Sequence, residues 1–278
     1  TLGNGSNDIL EMAAHAFVTN KHEVIYSKHS FAVYPIVTQA VGAKHVITQA
    51  IEWGHDLDAM LASVNDSTRL MFIANPNNPT GTWVDKNNLR NLLEKIPSHV
   101  IVLVDEAYFE YAKIEEGYPN CSSWINEFHN LIVTRTFSKA YGLAALRIGY
   151  SLSHSKIADL LNRVRQPFNN NSLALVAAEV ALRDSEYIES SIKLNQSGMK
   201  QLTQAFDNMG LEYIPSKGNF MCVNFKQPAI GIYENLLKGG VIVRPISDYD
   251  MPNHLRITIG LEHENTKFIE ELEKIMTK

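Results

Sequence analysis

Lys139 stands in a setting that suggests chemistry. It follows the apolar run 131–135 and lies within Thr136-Phe137-Ser138-Lys139-Ala140-Tyr141-Gly142-Leu143. A lysine on a loop is ordinarily a solvated charge. Desolvated in a pocket, it loses proton affinity and can attack a carbonyl carbon. Arg147 follows, just before another apolar run. Its guanidinium fork suits an anion, and Thr136 and Ser138 add hydroxyl donors. Asp105 closes the most apolar run, 100–104. A carboxylate there is either a satisfied turn residue or the buried partner of a cation, such as a protonated ring nitrogen. Tyr108 offers a phenol close by. Asn78 lies in Asn75-Pro76-Asn77-Asn78-Pro79-Thr80-Gly81, a composition that turn formation alone explains. Gly3-Asn4-Gly5-Ser6-Asn7 precedes a helical stretch. Amides at a helix N-terminus bind phosphate, although helix capping accounts for the same residues. Phe31, at the entry to a helix, reads by itself as core.

These residues need a scaffold, and the hydrophobic pattern supplies one. Helices are expected over 8–19, 31–41, 57–64 and 89–96, where apolar residues recur at helical spacing. Short strands are expected over 23–26, 44–48, 69–74, 100–104, 131–135 and 148–152. Alternation of this kind, with β-branched runs, predicts an α/β domain with a largely parallel sheet. Ligands of such sheets gather beyond the carboxyl ends of the strands. The polar segments starting at Asn75, Asp105 and Thr136 each follow a strand at that end. After about residue 168 the pattern changes. A long helical stretch over 172–209 carries turn signals only near Arg183-Asp184. Strands are expected over 212–214, 220–224, 241–244 and 254–259, then a final amphipathic helix with Phe268, Leu272 and Ile275. The expected division is a large domain over 1–170, a helical connection over 171–205 and a smaller α+β domain over 206–278.

The chain has 278 residues, with 25 Lys and Arg against 30 Asp and Glu, a formal charge of −5. That balance does not suit a protein that tracks nucleic-acid phosphates. No apolar run reaches the roughly 18–20 residues of a membrane span. Cys121 and Cys222 are far apart, too few for a disulfide framework or a zinc site, and point to a reducing, cytoplasmic compartment. No metal is expected.

Taken in order, Asn75 to Gly81, Asp105-Glu106-Ala107-Tyr108 and Thr136 to Arg147 resemble the fold-type I pyridoxal-phosphate (PLP) enzymes of the aspartate-aminotransferase superfamily. Within it, the opening GNGSNDIL, SFAVYPIVTQAVGA, QPFNNNSLALVAA, VIVRP and HLRITIG resemble the histidinol-phosphate aminotransferases. The likeness runs through essentially the whole chain. It implies a mostly parallel central sheet with helices on both faces, plus the smaller C-terminal domain. It implies that Lys139 attaches to the cofactor aldehyde and later moves the Cα proton, and that Asp105 pairs with the ring nitrogen. Asn78 and Tyr108 would hydrogen-bond the ring O3′. Ala107 and Phe31 would cover the two ring faces. Ser6, Asn7, Thr136, Ser138 and Arg147 would hold the phosphate. Arg256 and Arg244 would meet the substrate's anionic group, and Asn169 would line the pocket.

The implied reaction is transamination between histidinol phosphate and 2-oxoglutarate, in a homodimer that takes small-molecule substrates and no nucleic acid or membrane. Three alternatives share the cofactor cradle: an aromatic amino-acid aminotransferase, a decarboxylase of the threonine-phosphate type and a non-catalytic PLP-sensing domain. Members of the family carry a further N-terminal segment that completes the small domain and the dimer. The resemblance therefore implies reduced activity for this span alone. Phe31 replaces the tyrosine often found there, which keeps the stacking and loses a hydroxyl. Asn7-Asp8 replaces the commoner Asp-Glu.

Overall fold

A computed structural model describes residues 1–277. In chain order the large sheet begins with β1 (Leu2–Gly3), β2 (Glu23–Ser27) and β3 (Lys44–Thr48). A ribbon follows, β4 (Ala50–Ile51) against β5 (Gly54–His55). Then come β6 (Thr68–Ala74), β7 (Ile101–Asp105), β8 (Leu131–Thr136) and β9 (Gly149–Ser153). The sheet has seven strands in the order β1-β9-β8-β7-β6-β2-β3. β3, β2, β6, β7 and β8 run parallel; β9 is antiparallel to β8, and β1 is antiparallel to β9.

Side-chain alternation along these strands builds two apolar layers. Val24, Leu70, Phe72, Leu103 and Ile132 pack on one face, against α1 (Ser6–Phe17), α2 (Val33–Ala40) and the later α6 (Ser155–Val164). Ile25, Met71, Ile73, Val102, Val104 and Val133 pack on the other, against α3 (Leu57–Ala62) and α4 (Lys86–Lys95). Strands buried on both faces lose their alternating signature, which is why 100–104 reads as a continuous apolar run. Between β7 and β8 lies a single helical turn, α5 (Phe109–Ala112).

The helical stretch over 172–209 is two helices, α7 (Ser172–Ala181) and α8 (Ser185–Asn208). The break falls at Asp184, whose carboxylate caps α8 by accepting from the Tyr187 amide at 3.0 Å. The second sheet, β10 (Glu212–Ile214), β11 (Phe220–Asn224), β12 (Arg244–Pro245) and β13 (His254–Thr258), has the order β10-β11-β13-β12. Leu202 and Phe206 of α8, α9 (Ile230–Lys238) and α10 (Glu262–Met276) cover it around Met221, Val223, Leu255 and Ile257. The strand expected over 241–244 shrinks to Arg244 and Pro245. Gly240 takes a positive φ of 78°, and the Val241 amide closes back on Leu236 O at 2.9 Å. The chain spends those residues ending α9 rather than pairing with β13.

Candidate active site

The carboxyl ends of β6, β7 and β8 open into one cavity of about 200 Å³. Thirteen residues line it, and they include Lys139, Asp105, Tyr108, Ala107, Asn78, Phe31, Thr136, Ser138, Arg147, Ser6 and Asn7. Residues over 140 positions apart in sequence meet there because parallel strands all end on one side. Pro76 and Ala74 complete the lining, and neither was singled out from sequence. A wider groove of about 810 Å³ runs between the ribbon, α4 and β10. It contains none of these residues.

Each side chain is delivered by local structure. Asn75 pins the turn 75–81 from its start: its Nδ2 donates to Val84 O at 3.0 Å, and its Oδ1 accepts from the Val84 amide at 2.9 Å. Asn77 Nδ2 donates to His29 O and to Thr80 Oγ1, both at 2.8 Å. The turn thus presents Asn78, and Asn78 Oδ1 accepts from Arg256 Nη1 of β13. Arg256 Nε is buried without a hydrogen-bond partner, so this guanidinium keeps a donor in hand.

Asp105 is buried, and burial pushes its carboxyl up to about 6. Thr134 Oγ1 donates to Oδ1 at 3.1 Å and Tyr34 OH to Oδ2 at 3.3 Å, which oppose that shift but do not overcome it. No cation lies in hydrogen-bond contact with this carboxylate among the described residues. A buried carboxylate served only by neutral donors is a ready partner for a ring N–H⁺. Lys139 is moved the other way: burial and the nearby Arg256 and Arg147 lower its proton affinity, against the pull of Asp105. Its Nζ lies 5.4 Å from the centre of the Tyr108 ring. The Tyr108 phenol is raised by burial and stays protonated as a donor.

The phosphate end is built from α1 and the strand-end loop. The N-cap of α1 is Gly5, which makes no side-chain cap, so the first-turn amides keep their donors. Gly5 has φ 80°, and a Cβ there would run into the Arg147 guanidinium. Arg147 itself sits in the left-handed region at φ 55°, an uncommon conformation for a side chain of this size, and its Nη1 donates to Ala144 O at 3.1 Å. Ser138 Oγ accepts from the same nitrogen at 3.4 Å.

Three expected residues stand outside the cavity lining: Asn169, Arg244, and Arg256, which joins it through Asn78. Asn169 Nδ2 donates to Asp8 Oδ2 at 2.8 Å and to Leu2 O at 3.2 Å, which ties the 166–171 loop to β1 and α1. Arg244 is exposed, 3.7 Å from Asp248, yet the register sets it directly opposite Arg256. Two like charges paired across strands repel unless an anion lies between them. Sequence reasoning missed Tyr34, whose ring stacks on Phe72 at 4.5 Å and meets Phe31 edge-on at 5.8 Å. Its place one helical turn after Phe31 was the available signal.

The chain matches the family of class I and II aminotransferases over residues 1–272. It belongs to that family. All of this aminotransferase chain aligns, at 56% identity, with 75% of histidinol-phosphate aminotransferase 2 of Pseudomonas fluorescens. It is 54% identical to histidinol-phosphate aminotransferase 1 of Idiomarina loihiensis, over 99% of the chain and 75% of that protein. A crystal structure of the Sinorhizobium meliloti histidinol-phosphate aminotransferase in complex with pyridoxal 5′-phosphate superposes with a TM-score of 0.93 at 26% identity. That likeness covers 100% of this chain and 76% of the other. The cofactor of the family is PLP, and the cavity residues fit it: a buried carboxylate lacking a cation, a lysine of lowered basicity and an anion cup at a helix N-terminus.

Proposed function

We propose that the chain is a histidinol-phosphate aminotransferase, moving the amino group of L-histidinol phosphate to 2-oxoglutarate in histidine biosynthesis. One observation carries the reading: Lys139, Asp105, Tyr108, Asn78 and Arg147 converge on one cavity in a chain 56% identical to a protein of that activity. PLP, when bound, supplies an electron-poor ring that takes up the electron pair left at Cα.

The chain's residues do the rest. Ser6, Asn7, Thr136, Ser138, Arg147 and the first amides of α1 bind the dianionic phosphate. Asp105 would hold the ring nitrogen protonated, and that cation would offset the cost of its buried charge. Phe31 and Ala107 would cover the ring and exclude water. Asn78 and Tyr108 would donate to the ring's hydroxyl oxygen. Burial lowers the basicity of Lys139, which favours the neutral amine that attacks a carbonyl. The lysine would hold the cofactor through its amine and, when released, would be the base that carries the Cα proton.

Arg256 binds the anionic end of either substrate, a phosphate in one half-reaction and a carboxylate in the other. Arg244, its cross-strand neighbour, adds a second guanidinium for the phosphate. The reading includes a homodimer in the cytoplasm. The exposed apolar stripe of Leu173, Val176 and Val180 on α7 supports a second copy, and two free buried cysteines suit a reducing compartment. The test supplies the PLP-loaded protein with histidinol phosphate and 2-oxoglutarate and measures glutamate. Glutamate formation at a rate well above that with phenylalanine or tyrosine supports the reading. Turnover with the aromatic amino acids alone moves the chain to the aromatic aminotransferases.

A further inference from the structure

We propose that Glu106 and Arg135 form a positioning pair that sets the spacing between the ring-nitrogen end and the phosphate end of the cofactor site. The inference rests on the PLP reading above and concerns residues that do not line the cavity. Asp105 and Thr136 point into the cavity from the ends of β7 and β8. Strand alternation turns their neighbours Glu106 and Arg135 to the opposite side. There Arg135 Nε and Nη2 both donate to Glu106 Oε2, at 2.9 and 2.7 Å. Glu106 Oε1 accepts from the Cys121 amide at 3.0 Å. Arg135 Nη2 also donates to Asn120 Oδ1 at 2.7 Å, and the guanidinium lies 3.5 Å from the centre of the Phe109 ring.

The pair sits where the backbone tie ends. The Glu106 amide makes the last rung to β8, donating to Thr134 O at 2.9 Å. Past it the chains part. Phe109 N turns back to Glu106 O, whereas Phe137 N bonds Ile148 O, just before β9. Ala107 and Tyr108 leave on one path and Ser138 and Lys139 on the other. Arg135 holds both: it rises from β8, grips Glu106 and lies flat on Phe109, the residue after Tyr108. The Glu106 side chain is wholly buried. Stability does not require an ion pair here, because apolar residues of equal volume commonly do as well. A planar fork that donates twice to one carboxylate oxygen, while the Cys121 amide holds the other, supplies geometry that apolar packing does not.

The spacing matters to a rigid ligand held at both ends. PLP must reach Asp105 with its nitrogen and the α1 and Arg147 cup with its phosphate. Pyridoxal lacks the phosphate and would make only the ring contacts, at Asp105, Asn78, Tyr108, Ala107 and Phe31, and with Lys139, whose four-carbon stem follows the ring. The test measures equilibrium binding of PLP and of pyridoxal, by absorbance, to the wild type, Glu106→Gln and Arg135→Lys, with thermal unfolding as a check on folding. Arg135→Lys leaves Glu106 facing a cation, so it decides the matter if Glu106→Gln does not fold. The expected result is a roughly 10- to 100-fold loss of PLP affinity, with pyridoxal affinity held within about twofold. Equal losses for both ligands reduce the pair to a fold-stabilising contact and overturn the proposal, as does no loss for either. A wild type that binds PLP no more tightly than pyridoxal overturns the phosphate-cup reading itself, and the proposal with it.

Discussion

Asp105→Asn removes a charge from a place where burial opposes it. In the cofactor-free chain the carboxyl sits at about 6 against an ordinary 3.8. At about 1.4 kcal/mol per pH unit, holding it ionised above pH 6 costs the folded state about 3 kcal/mol. The sign follows from proton binding. Between pH 4 and pH 6 the folded chain holds more protons than the unfolded one, so stability falls as pH rises through that window. Asparagine keeps the shape and one acceptor oxygen. One of its donors, Thr134, Tyr34 or the Ala107 amide, then loses its partner, an offset of about 1 kcal/mol. The variant is therefore expected to be about 2 kcal/mol more stable than wild type at pH 7.5 without cofactor. At pH 4, where Asp105 is neutral in the folded chain and about half ionised in the unfolded one, most of the advantage disappears. Urea unfolding of both proteins at the two pH values measures this. The same variant loses transaminase turnover, because nothing holds the ring nitrogen protonated. A variant less stable than wild type at pH 7.5, or equally stabilised at pH 4, refutes the assignment of Asp105 as a buried carboxylate that waits for a cation.

Lys139→Ala is expected to leave bound PLP without the visible absorption of a lysine-attached cofactor and to lower turnover by about 10⁴-fold or more, read by single-turnover absorbance. Arg256→Gln raises the KM for both histidinol phosphate and 2-oxoglutarate by roughly 30-fold or more, as expected for a lost charge-assisted hydrogen bond. Arg244→Gln raises the KM for histidinol phosphate by roughly 10-fold and that for 2-oxoglutarate far less, since only the phosphate needs both guanidiniums; equal effects on the two substrates count against the shared phosphate site.

Much of this was legible in the sequence because strand ends announce themselves. Asp105 and Thr136 follow or close apolar runs, and a parallel sheet gathers such ends on one side. The helix-and-strand alternation of the large domain was readable for the same reason. Three things were not. The 241–244 strand was misread because Val241 and Val243 carry strand-forming side chains while Gly239-Gly240 commits them to ending α9. The family resemblance implied that Asn169 lines the pocket, but its amide spans to Asp8 and Leu2, a tertiary bond with no local signal. Glu106 and Arg135 carried no reading of their own in the sequence. Their pairing depends on β7 lying beside β8, which becomes visible only when the strand order is known.

The most direct measurement adds histidinol phosphate alone, without an oxo acid, to the PLP-loaded protein and follows the visible absorption of the cofactor. The account predicts its conversion to the pyridoxamine spectrum within a single half-reaction. Persistence of the lysine-bound spectrum with histidinol phosphate, while phenylalanine or tyrosine discharges it, would contradict the assigned substrate and leave the fold and the site chemistry in place.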